Sequence, residues 1–135
     1  TRAYIKYLLK KDLTFKSKNI IDTFLKSKLV ICFYPETTFA ESMKLGVPTV
    51  VYISPKIYKL HKISKNLFNN LKKTNILFDD INLLSDHVNK ICKNPNIWWN
   101  QIETKKQRIY FLKEALGVDR KNSLDKWKQY LKSLK

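Results

Sequence analysis

Two unbroken apolar runs, rich in β-branched residues and only a short helix apart, constrain this chain more than any other feature. Leu29, Val30, Ile31, Cys32 and Phe33 form the first, and Thr49, Val50, Val51, Tyr52 and Ile53 the second. Between them stand a polar bend (Tyr34, Pro35, Glu36, Thr37, Thr38), an amphipathic segment over residues 39–45, and the stop Gly46-Val47-Pro48. Strand, loop, helix and strand at this spacing make a βαβ crossover, which pairs its strands in parallel and is right-handed in nearly every sheet. Continuous rather than alternating runs predict strands covered on both faces. The fold class expected is therefore α/β, a parallel sheet flanked by helices, with more helices toward the C-terminus. Ligands of such sheets lie beyond the carboxyl ends of the strands, where a loop meets a helix N-terminus. Here that place is residues 34–38.

The remaining elements follow from periodicity and punctuation. Tyr4, Ile5, Tyr7, Leu8 and Leu9 read equally as a strand or a helix start, with Arg2 just before them. Asn19 opens a short helix with Ile20, Ile21, Phe24 and Leu25 at helical spacing. Pro55 stands where a helix can start, and Ile57, Leu60, Ile63 or Ser64, Leu67, Phe68 and Leu71 predict one of about 17 residues. Lys56, Lys59, Lys62 and Lys65 would run along a second stripe of it, either as a solvated face or as a wall toward an anion. Ile76, Leu77 and Phe78 form a third strand, after which Asp79 and Asp80 suit the start of a helix carrying Leu83, Leu84, Val88 and Ile91. The paired acids are read as helix caps in preference to metal ligands, and neither His61 nor His87 has a second ligand at metal spacing. Past Asn94-Pro95-Asn96 one long helix is expected over residues 97–116, with Trp98, Ile102, Ile109, Leu112 and Leu116 as its core face and Gly117 closing it. Adjacent Trp98 and Trp99 point about 100° apart, so both bury only under a second surface. Ser123 can cap a last helix with Leu124, Trp127, Leu131 and Leu134 as a seam. One domain, residues 1–135, accounts for all of this, and residues 118–135 are expected to reach toward a further domain. The start at Thr1 is what a piece of a longer polypeptide would have.

Charge narrows the partners. The formal net charge is +16, yet 24 of the 27 basic residues are lysine and only Arg2, Arg108 and Arg120 are arginine. Specific readers of nucleic acid favour arginine, whose planar fork pairs bidentately with guanine and phosphate. Lysines spread over every segment are read as solvated faces, with attraction to anionic surfaces as the remainder, and no specific nucleic-acid partner is expected. Two cysteines, Cys32 and Cys92, both expected to be buried and free, suit a reducing cytoplasm. No apolar run approaches the length that spans a bilayer, so a soluble, cytoplasmic protein is expected.

One constellation can carry chemistry. Thr37 and Thr38 open a helix after a strand, where unpaired N–H groups and the helix dipole attract anions. Glu41, one turn on, can accept two hydrogen bonds from a ribose diol. Together they suit the diphosphate and pentose of a nucleotide. The same residues also spell a capping box, Thr38-x-x-Glu41, and spacing does not separate the two readings. Tyr34, Pro35 and Glu36 are candidates for a pocket wall. No catalytic residue, metal site or cofactor is identified.

The run Tyr34-Pro-Glu-Thr-Thr-Phe-Ala-Glu41-Ser-Met-Lys-Leu-Gly46-Val-Pro48-Thr resembles the donor-side motif of GT-B glycosyltransferases. With Ile76-Leu77-Phe78-Asp79, the Trp98-Trp99 pair and Phe111, the chain is similar to the C-terminal half of transferases of bacterial surface-carbohydrate synthesis over most of residues 17–117. The resemblance implies a Rossmann-like domain that is one half of a two-domain enzyme. By it, Thr37 and Thr38 meet donor phosphates and Glu41 the ribose. The donor is then a nucleotide-sugar bound as substrate, the acceptor a glycan or lipid-linked glycan, and the N-terminal Rossmann domain is missing. Contact with the inner membrane face would bring the enzyme to lipid-linked acceptors. Two departures stand out: Glu36 occupies a position that is often small or amide-bearing, and the glycine-rich phosphate loop of some relatives is missing. The competing readings are a basic, non-catalytic α/β module that binds nucleic acid or anionic surfaces, and a regulatory nucleotide-binding domain.

Overall fold

The structure, a computed structural model, describes residues 19–117 and 131–133. Three strands, β1 (Val30–Cys32), β2 (Thr49–Tyr52) and β3 (Leu77–Phe78), form a parallel sheet in the order β1-β2-β3. Helices flank it: α1 (Ile20–Lys26), α2 (Thr37–Lys44), α3 (Lys65–Lys73), α4 (Ile81–Ile91), α5 (Pro95–Trp99) and α6 (Ile102–Leu116). This is the Rossmann-like α/β arrangement that the two β-branched runs predict. Residues 131–133 are helical and Leu131 is exposed. Arg2, residues 4–9 and the rest of the expected C-terminal helix lie outside the described residues.

β2 is the centre of the molecule. Thr49, Val50 and Val51 are fully buried, as a strand with neighbours on both edges and both faces must be. β1 departs from that expectation. Ile31, on the edge strand of the described sheet, is 44% exposed, and Phe33 lies past the strand end and is 57% exposed.

α2 and α3, which lead into β2 and β3, each end in a Schellman motif. After α2, Gly46 N–H donates to Met43 O and Val47 N–H to Ser42 O; after α3, Asn75 N–H donates to Lys72 O and Ile76 N–H to Leu71 O. The left-handed residue each motif requires is Gly46 (φ 77°) in one and Asn75 (φ 57°) in the other, asparagine being among the few side chains that tolerate it. A buried hydroxyl pair then ties α2 to the sheet. Ser42 donates to Phe39 O at 3.0 Å, and Thr49, which donates to Val47 O at 2.8 Å, has its Oγ1 3.0 Å from Ser42 Oγ.

The expected helix from Pro55 is shorter than predicted. Ile57 and Tyr58 N–H both donate to Ser54 O, which makes residues 54–58 a turn. A 3₁₀ turn (Lys62–Ser64) follows before α3 starts at Lys65, so the four lysines share no helical stripe. The long helix over residues 97–116 is two helices with an elbow at Asn100 and Gln101. The elbow gives each tryptophan its own partner: Trp98 Nε1 donates to Thr74 O at 3.0 Å and Trp99 Nε1 to Gly46 O at 2.8 Å. Both rings are buried, while Ile102 (89% exposed) and Ile109 (50%) are not core residues. Phe111 takes that role, edge-on to Phe39 of α2 and Phe68 of α3. Of the two thiols Cys92 is exposed and only Cys32 is buried; burial pushes the Cys32 pKa up to about 11, which leaves it a poor nucleophile.

His87 on α4 is half-buried against the rings of Phe78 and Trp98, and its Nε2 has no hydrogen-bond partner among the described residues. Burial, with Lys90 nearby, lowers its pKa below the ordinary 6.5. The unfolded chain therefore binds the extra proton first, and stability falls as pH drops below about 6.5, until the folded-state value is passed. Urea denaturation between about pH 7.5 and 5 should record that fall, and His87→Phe should flatten it.

Candidate functional site

β1 ends at Cys32 and α2 begins at Thr37, so residues 33–36 form a turn beyond the carboxyl end of the sheet, as expected. The helix N-cap is Glu36, whose side chain makes no capping bond. Glu36 O accepts the first helical bond, from Ala40 N–H at 3.2 Å. Among the described residues no group accepts from the N–H of Thr37, Thr38 or Phe39. Three donors and the positive end of the helix dipole thus meet at this turn.

The capping box does not form. Thr38 is the second residue of α2 rather than its cap, and neither its hydroxyl nor the Glu41 carboxylate bonds a backbone amide. Thr37, Thr38 and Glu41 are all exposed, while Phe39, Ser42 and Met43 face the core. At spacings of three and four residues both threonines share a helix face with Glu41. The structure brings these three candidates together on one accessible stripe, and among the described residues their side-chain polar atoms have no partner.

The candidate wall residues turn the other way, toward β2. Tyr34 packs against Tyr58, ring centroids 5.3 Å apart, and Tyr58 Oη donates a long bond (3.5 Å) to Glu36 Oε1. Pro35 is half-buried. Desolvation, the Glu36 charge and the neighbouring Tyr34 raise the Tyr58 pKa, which keeps its phenol a donor. The Glu36 carboxylate is thus engaged with a phenol beside the turn.

Tyr58 also lines a cleft of about 270 Å³ beyond the carboxyl ends of β2 and β3. Buried Ile53 and Leu77 close its inner end, Pro55, Leu60 and Phe68 add apolar wall, and Lys65 and Asn69 add polar groups. Lys72 and Asp79, paired at 2.6 Å, complete it. Sequence reading missed this cleft. Its one visible signal was the acid next to the Asp80 cap: Asp80 accepts from Asn82 and Leu83 N–H, so Asp79 is surplus to capping and free to pair elsewhere. A broader, open groove of about 720 Å³ shares Asn69 and Lys72 and runs past Lys73 and Tyr110.

Among the described residues no group of three His, Cys, Asp or Glu side chains converges as metal ligands, and no helix is long and apolar enough to cross a membrane. A family model described as LIC12162 family transferase matches residues 3–131. The chain belongs to that family. Group transfer is therefore its chemistry at the coarsest level. No curated protein and no solved structure matches the chain.

Proposed function

We propose that this transferase domain binds a nucleotide-sugar and is the donor half of a two-domain, GT-B-type glycosyltransferase of bacterial surface-polysaccharide and envelope-glycan synthesis. The observation that carries the reading is the first turn of α2, where three unclaimed backbone N–H groups meet two uncommitted hydroxyls. The exposed carboxylate of Glu41 lies one turn on. A diphosphate matches the donors and a ribose diol matches the acceptor. The motif over residues 34–49 supports the finer assignment by its likeness to GT-B donor sites, and the family match supports group transfer.

The chemistry asked of these residues is electrostatic. As the bond from the anomeric carbon to the phosphate oxygen breaks, the electron pair leaves with the nucleotide. The helix N–H groups and the hydroxyls of Thr37 and Thr38 stabilise the charge gained there. The acceptor hydroxyl oxygen bonds to the anomeric carbon and gives up its proton to a base outside this set. An N-terminal Rossmann domain, facing the carboxyl ends of the strands, would supply acceptor contacts. A glycan or lipid-linked acceptor, reached at the inner membrane face, fits the lysine excess.

Titration of the chain with uridine, guanosine and cytidine diphosphates, followed by amide shifts, tests the reading. Shifts confined to residues 36–41 and a preferred base are expected. Thr38→Ala should weaken binding about tenfold while the melting temperature holds, because its hydroxyl bonds nothing among the described residues. Uniform, salt-sensitive shifts across the lysines would instead favour a basic module indifferent to nucleotide identity.

A further inference from the structure

We infer that the cleft beside Tyr58 receives the sugar of the nucleotide-sugar, and that Asn69 and the Lys72–Asp79 pair select it; this rests on the nucleotide reading above. Continuity is the first argument. Along α2 the proposed contacts run from Glu41 at the ribose to Thr38 and Thr37 at the phosphates, and Glu36 comes next. A donor bound in that order carries its sugar past Glu36, where Tyr58 stands with its hydroxyl on the Glu36 carboxylate and its ring on Tyr34. Tyr58 is also a wall of the cleft, so the two places are neighbours sharing one side chain.

Size and chemistry give the second argument. At about 270 Å³ the cleft lies below the range of pockets that enclose whole nucleotide-sized ligands, and suits a single monosaccharide ring. A pyranose presents apolar C–H faces and hydroxyls that both donate and accept. The cleft answers with Phe68, Leu60 and Pro55 for the faces. For the hydroxyls it offers the two-way amide of Asn69, the acceptor-only carboxylate of Asp79, and the donors Lys65, Lys72 and Tyr58. Lys72 and Asp79 already face each other at 2.6 Å across this wall of the cleft. A bare phosphate would meet the Asp79 carboxylate and gain nothing from the apolar wall.

The test compares each nucleoside diphosphate with the same diphosphate carrying a hexose, uridine diphosphate against uridine diphosphate glucose, guanosine diphosphate against guanosine diphosphate mannose and cytidine diphosphate against cytidine diphosphate glucose, on the full chain. For the base that binds, the sugar-bearing ligand is expected to add shifts at Tyr58, Asn69 and Asp79 to those at residues 36–41. Asn69→Ala and Asp79→Asn should each weaken it about five- to tenfold and leave the bare diphosphate unchanged. Asn69 is exposed, so its alanine variant should fold, which the melting temperature checks. Shifts that stay at residues 36–41 for both ligands, with unchanged affinities in both variants, would overturn the sugar subsite and leave the nucleotide site standing. No shifts at residues 36–41 with any diphosphate would remove both.

Discussion

Trp99→Ala is expected to lower the unfolding free energy by about 3–5 kcal/mol, the largest effect of any substitution considered. The ring is 1% exposed and stands where three elements meet. Its Nε1 donates to Gly46 O, the carbonyl at the Schellman turn that leads from α2 into β2. Its face carries the Arg108 guanidinium, 4.2 Å from the ring centroid, and its own carbonyl accepts from Arg108 Nη1 at 3.4 Å. Burial already disfavours the Arg108 charge, lowering its pKa, and removing the ring would strip away the compensating cation–π contact. Against a total of about 5–15 kcal/mol for an ordinary domain, the loss is a large fraction. Urea denaturation should show the midpoint falling at an unchanged slope. Trp99→Phe should lie between the two, keeping most of the apolar volume and losing the bond to Gly46. The consequence for function is indirect: Gly46 ends the helix that carries the proposed donor site, so loss of the ring loosens the far end of that helix.

How far the residues announce this arrangement differs from element to element. β2 is legible because Thr49, Val50 and Val51 are β-branched, Tyr52 is aromatic, and Gly46 and Pro48 mark where the strand starts. The cap of α4 is legible because Asp80 has the right side chain just before an apolar periodicity. The segment after Pro55 misleads for the opposite reason. Ile57 and Leu60 fall at helical spacing with Leu67, yet Ile57 is 70% exposed and Leu60 is exposed too, while the neighbouring Tyr58 is the side chain that packs against the core. The elbow at Asn100 and Gln101 has neither glycine nor proline to mark it. Its cause is tertiary, two adjacent indoles reaching carbonyls on different elements, and no local propensity encodes that. At the site, Thr37, Thr38 and Glu41 are legible as a group but not their helix positions. One residue's difference in where α2 begins decides between a capping box and uncommitted hydroxyls. The cleft was hidden because Tyr58, Asn69 and Asp79 lie on three separate segments joined only by the sheet.

The second large effect is expected at Glu41. Among the described residues its carboxylate has no partner, so Glu41→Gln should leave stability nearly unchanged while ligand affinity falls. Hydrogen bonds to a charged group are worth about 1.5–3 kcal/mol, so a loss of tenfold or more is expected for a ribonucleotide. Removing the 2′-hydroxyl from the ligand should cost the unsubstituted chain a similar factor, because the same bond is being cut from the other side. The two losses should therefore not add, which is the signature of direct contact in a double-mutant cycle.

That cycle is the most direct measurement of the central claim. Calorimetric titration of the unsubstituted chain and of Glu41→Gln with the preferred nucleoside diphosphate and its 2′-deoxy form yields four affinities. A coupling of about 1 kcal/mol or more, with discrimination between ribose and deoxyribose present in the first protein and lost in the second, is the predicted result. Equal discrimination in both proteins, with strictly additive losses, would contradict it and take the pentose away from Glu41.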